Sequence, residues 1–199
     1  MLRRRRMVRD YEDRPLPEGA AERILAAALR APSAGFSQGF GFLALAEPAD
    51  RERFWPFARH QADAAPGMRR APLVVVALSN KAAYLERYAE ADKGWVDRDE
   101  ARWPVPYWDI DTGMAVVLML LAAVDEGLGA CFFGIEPDQI APLRGAFGIP
   151  GDYVSIGAVT VGHRARGLAA QGARFEARRR AQDDVVHRGR WGARAPAAG

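Results

Sequence analysis

A chain of 199 residues that is 49% hydrophobic is long enough for one domain with a continuous core, and too apolar to be disordered or low in complexity. Its net charge of +3 comes from two arginine clusters, Arg3 to Arg9 and Arg174 to Arg190, which marks one local anion site and argues against a general basic coat for nucleic acid. The single cysteine, Cys131, excludes an internal disulfide and a thiolate metal cluster and fits a reducing, cytoplasmic setting.

In chain order, Asp10, Glu12 and Asp13 stand where a secretory leader would be apolar, so secretion is not expected. Pro17–Arg30 carries Ile24, Leu25, Ala28 and Leu29 at helical spacing and is the first predicted helix. Phe40–Ala46 and Leu73–Leu78 are strand candidates, the second buried. Between them Pro48–Gln61 reads as a helix that Pro56 kinks or ends. A helix around Ala82–Ala91 is followed by an ordered loop rich in proline, tryptophan and tyrosine. Ile110–Glu126 is a long apolar helix closed by Gly127. Its most apolar run, Met114–Val124, is about half what a bilayer needs and is flanked by acids, so it reads as a core helix. Ala130–Phe133 is a strand, Pro137–Phe147 a short helix and Val154–Val161 a final strand. Four strands among helices predict a layered α/β or α+β fold in a single domain spanning residues 1–199, with about 192–199 as a flexible tail.

The sequence contains no GxSxG, Walker, HExxH or GxGxxG motif, and His60, His163 and His187 lack metal-ligand spacing. An enzyme without an evident nucleophile or acid–base pair can let an organic cofactor carry the chemistry, the protein supplying orientation. Arg5-Arg6-Met7-Val8-Arg9-Asp10-Tyr11 suits that role, because alternating arginines can direct permanent charges and planar donors at one phosphate or ring carbonyl, although on its own so short a run equally reads as a solvated basic terminus or a nucleic-acid patch.

That segment, followed downstream by Pro32-Ser33-Ala34-Gly35-Phe36-Ser37-Gln38, resembles the opening of the nitroreductase family, which runs RRSxRxF and then AAxxAPSxxNxQPW. A second stretch, from Asp111 through Gly127-Leu128-Gly129 to Phe133-Gly134-Ile135, and a third, from Val159 to the arginines at 178–180, are similar to the same family in the same order. The resemblance implies an α+β fold with a mostly antiparallel sheet flanked by helices, and a homodimer that exchanges a terminal arm. It implies FMN as cofactor, with Arg5, Arg6, Met7 and Arg9 on its phosphate and pyrimidine edge, and Pro32, Ser33, Ala34 and Gln38 reaching the partner's flavin. Phe133, Gly134 and Ile135 would lie at the ring, a backbone N–H there facing N5, and Arg178 and Arg180 would close on the phosphate. Met7 and Phe36 stand where the family has serine and asparagine.

Trp95, Trp103, Tyr107 and Trp108 are candidates to line or cover a substrate pocket and equally suit pinning the loop to the core, while Phe36 suits a pocket wall or, better, dimer packing. The implied activity is oxidoreduction by a ping-pong route, NAD(P)H being the electron donor and a small nitroaromatic or quinone-like molecule the acceptor, with no nucleic acid, membrane or metal involved. Specialised members that fragment flavin, dehalogenate or use a deazaflavin remain alternatives, as does a non-enzymatic flavin-binding protein.

Overall fold

The computed structural model of the chain describes residues 2–165 and 178–193, which fall in two compact units divided after Ala165. The first unit contains, in order, α1 (Ala20–Ala28), β1 (Phe40–Leu45), α2 (Pro48–Phe54), α3 (Arg59–Ala64), β2 (Leu73–Asn80), α4 (Lys81–Ala89), α5 (Tyr107–Asp125), β3 (Gly129–Phe133), α6 (Pro137–Phe147) and β4 (Tyr153–Gly162). The helix read across Pro56 is broken there into α2, a 3-10 turn at Trp55–Ala58, and α3, because proline removes a backbone donor.

The strands form one antiparallel sheet in the order β1-β2-β4-β3. Every residue of β2 is buried, which explains the unbroken run Val74-Val75-Val76. Its alternate side chains feed two cores: Leu73, Val75 and Ala77 pack with α1 and α5, whereas Val74, Val76 and Leu78 pack with Phe54, Trp55 and Leu143. The sheet is thus sandwiched between helical layers, in the α+β arrangement the sequence predicts. Cys131 is fully buried in the second core, and burial pushes its thiol above the usual range, leaving it an inert hydrophobe.

α5 is long and apolar enough to cross a membrane by length and composition alone. One face, through Ala115, Val116, Met119, Leu120 and Ala123, is built into the sheet core. Its other face exposes Tyr107, Ile110, Met114 and Val117, spaced by three and four residues and therefore in one stripe. The helix begins three residues before the predicted start, since the Asp109 and Ile110 amides find an acceptor in the Pro106 carbonyl. It ends at Asp125, one residue before the predicted Glu126, and Gly127 closes it as expected, the Leu128 amide returning to the Ala123 carbonyl at 2.7 Å.

In the second unit, residues 182–184 form a 3-10 turn, the His187 ring rests 4.0 Å from that of Trp191, and Trp191 is 89% exposed. The expected tail lies outside the described residues from 194 onward, as does Arg174 of the second arginine cluster.

Candidate cofactor site

The first group of site residues is held on the outer edge of β3. Met7 bridges Ala130 in parallel register, and the Val8 amide donates to the Ala130 carbonyl at 2.9 Å. Gly129 makes this possible, because a Cβ there would stand 2.7 Å from Val8. Val8 points into the protein, so alternation along an extended chain sends Arg5, Met7 and Arg9 the other way. Nη1 of Arg5 is buried and meets no hydrogen-bond partner among the described residues, although a buried charged donor is costly without an acceptor. Arg6 behaves differently: its Nη1 donates to the carbonyls of Arg3 and Arg5, at 2.7 and 3.0 Å.

Tyr11 anchors this segment from below. Its buried hydroxyl lies 2.6 Å from the Val8 carbonyl oxygen and 2.9 Å from the Thr160 hydroxyl, and Arg70 donates to the Tyr11 carbonyl and pairs with Asp10. At the far end of β3, Phe133 stacks on Trp55 and Ile135 is buried. Gly134 between them is exposed, with nothing within 4 Å of where a Cβ would be. Gly134 lies about 13 Å along the strand from Ala130. One end of this edge therefore offers cationic donors and the other offers open backbone, which fits a ligand with a phosphate at one end and a flat ring at the other.

The second group, Pro32–Gln38, forms a compact turn. Gly35, Phe36 and Gln38 all have positive φ, 60°, 58° and 50°, and the Phe36 side chain is 74% exposed. The Gln38 amide donates to Ser33 Oγ at 2.9 Å, which leaves the Ser33 hydroxyl proton for a ligand. Outside the turn, the Ala34 amide donates to Asp111 Oδ2 at 2.8 Å, and Arg87 Nε to the Gly35 carbonyl at 2.9 Å. Asp111 is 2% exposed and also accepts from the Tyr84 hydroxyl at 2.7 Å. The sequence reading placed Asp111 in a motif but gave it, Tyr84 and Arg87 no role. A lone carboxylate in the apolar face of a helix was the available signal, since a buried charge needs partners.

Trp103 is ringed by Tyr84, Tyr88, Trp95, Tyr107 and Trp108, with centroids 4.5–6.1 Å away. That packing fastens residues 90–106 to α4. Trp103 and Trp108 are committed to it, while Tyr107 and Phe36 retain exposed ring surface. In the second unit Arg178 is exposed in a turn, and Arg180 Nη2 donates to the Asp184 carbonyl at 2.6 Å.

Burial pushes the Tyr11 phenol far above its ordinary value of 10.0, and burial followed by donation to Asp111 does the same for Tyr84. The folded protein therefore keeps two protons that the unfolded chain releases at high pH. The stability they contribute is complete below about pH 10 and is lost as the pH rises past it. Urea midpoints at pH 9 and pH 11 should fall less steeply in Tyr84→Phe than in the parent, and identical slopes would refute the assignment.

A sequence model described as the nitroreductase family matches residues 2–163. A protein of Archaeoglobus fulgidus, provisionally named an NADH dehydrogenase/NAD(P)H nitroreductase, is 29% identical over 193 residues, covering 96% of this chain and 97% of its own. Among solved structures, a nitroreductase family protein from Clostridium difficile 630 superposes with a TM-score of 0.69 at 21% identity, covering 95% of this chain and 96% of its own. An FMN-dependent nitroreductase from Clostridium difficile R20291 superposes with a TM-score of 0.67 at 18% identity, covering 96% and 98%. At such identities the two structures speak to the fold.

Proposed function

The chain belongs to the nitroreductase family of oxidoreductases, and on that premise we propose that it binds FMN as a cytoplasmic homodimer and passes electrons from NAD(P)H to a small electron-poor acceptor. The observation that carries this reading is the edge of β3, where Nη1 of Arg5, buried and without a hydrogen-bond partner among the described residues, stands at one end and the exposed backbone of Gly134 at the other. The redox chemistry, hydride taken from the nicotinamide and electrons delivered to a nitroaromatic or quinone-like acceptor in a ping-pong cycle, is what bound FMN supplies.

The chain's own residues bind and orient. Arg5 and Arg9 neutralise the phosphate from one side of the extended segment, with Met7 contributing backbone only. The Gly134 or Ile135 amide donates to the ring, and Ser33 offers its hydroxyl proton to the ring of the second subunit. Arg178 and Arg180, in the second unit, are further candidates for the phosphate on the family resemblance alone. No side chain need act as general acid or base, since water or the reduced cofactor can supply the proton.

The apolar stripe of Tyr107, Ile110, Met114 and Val117, together with exposed Val185 and Trp191 in the arm, supports pairing of two copies. The name of the Archaeoglobus fulgidus relative supports the nicotinamide donor. The purified protein is expected to be a yellow dimer that bleaches anaerobically with NADH or NADPH and recolours on addition of a quinone. A colourless dimer that cannot take up added FMN would sink the proposal.

A further inference from the structure

Pro32–Gln38 holds two non-glycine residues, Phe36 and Gln38, in left-handed backbone that side chains resist. Strain of this kind persists only where surrounding structure fixes it. The internal bonds of the turn, from Phe36 N to the Ser33 carbonyl at 2.9 Å and from Ser37 N to the Ala34 carbonyl at 3.1 Å, close it locally but do not aim it. Its aim comes from outside. Asp111 Oδ2 takes the Ala34 amide, Arg87 takes the Gly35 carbonyl, and the Tyr88 ring lies 2.6 Å from where a Gly35 Cβ would be. Of these anchors Asp111 is the one buried charge, and the same oxygen accepts from Tyr84, whose ring packs against Trp103 and Trp108.

We infer that Asp111 is a positioning residue: by holding the Ala34 amide and the Tyr84 hydroxyl together it sets the left-handed turn that presents Ser33 and Phe36 to the cofactor. This role rests on the proposed FMN function, but the shape of the turn is measurable without any cofactor. A merely space-filling residue at this position would be replaceable by any side chain of similar size. An aligning acceptor is replaceable only by another acceptor, so asparagine should rescue where alanine and leucine do not.

The test compares Asp111→Ala, Asp111→Leu, Asp111→Asn and Tyr84→Phe with the parent in two readouts: amide hydrogen exchange across residues 34–38 in the apoprotein, and the FMN dissociation constant. Asp111→Ala and Asp111→Leu should speed exchange selectively at 34–38 and weaken FMN by about tenfold or more, since a bond to a charged acceptor is lost. Asp111→Asn should stay within about threefold of the parent, and Tyr84→Phe should fall between. Exchange that is unchanged at 34–38, or that rises equally over the whole chain, overturns the inference. So does a loss in Asp111→Asn as large as in Asp111→Ala. If the alanine and leucine variants do not fold, Tyr84→Phe and Asp111→Asn decide by the same local exchange. A parent protein that binds no FMN defeats the functional proposal, and the exchange data then judge Asp111 alone.

Discussion

Arg5→Ala is expected to weaken FMN binding by about 10- to 100-fold, because a bond between charged partners contributes about 1.5–3 kcal/mol. Arg5 is singled out by geometry: its buried Nη1 is unpartnered among the described residues and lies on the side of the segment opposite Val8. Arg6→Ala is the comparison. Its Nη1 already donates to the Arg3 and Arg5 carbonyls and the side chain is exposed, so a several-fold loss at most is expected. Fluorescence titration of the apoprotein with FMN measures both, and raising the ionic strength should narrow the gap between parent and Arg5→Ala. Equal losses in the two variants would show that the cluster attracts the cofactor by charge alone.

Gly157→Ala is expected to cost about 3 kcal/mol or more and to lower the melting temperature by about 10 °C. Gly157 has φ +143°, and a Cβ there would stand 2.4 Å from the Phe133 carbonyl and 2.6 Å from the Phe132 ring. It sits beside the irregularity where pairing passes from Ala77–Gly157 to Leu78–Ser155, leaving Ile156 as the extra residue. The clash falls on backbone, which a rotamer change cannot relieve, and it pushes on the residue immediately before Gly134. FMN affinity should therefore fall along with stability. Gly145→Ala provides the opposite sign: it lies inside α6 with open space at its Cβ, so it should stabilise by about 0.5–1 kcal/mol. Calorimetry of the two variants separates backbone clash from a general intolerance of glycine replacement.

The parts of the fold that were legible in the sequence are those whose cause is local. α6 has its predicted bounds because Pro137 opens it and Gly148, with φ +64°, closes it. β2 was readable as buried because a strand covered on both faces has no polar alternation. It runs two residues beyond the prediction because Asn80 serves both as its last residue and as the cap of α4, accepting from the Ala83 amide at 3.2 Å. The start of α5 was hidden by Pro104, Pro106 and a crowd of aromatics that read as a loop.

The site divides the same way. The arginine segment announces itself by composition, but which arginines lie opposite Val8 depends on Val8 meeting Gly129, far along the chain. The contacts of Ala34 and Tyr84 with Asp111 are likewise long-range, so no spacing rule could join them. By sequence the aromatics between residues 95 and 108 suit a pocket or packing alike, and Trp103 is surrounded as packing.

The bridge between Met7 and Ala130 also makes the cofactor site a product of late assembly. Its two halves are far apart in the chain, so closing the long loop between them carries an entropic cost that is expected to make this bridge form late. A chain with a native sheet but an untethered start would lack half the site. Cofactor uptake during refolding should therefore follow the recovery of the sheet, and a bulky fusion ahead of Arg3 would slow or weaken it while leaving the core intact.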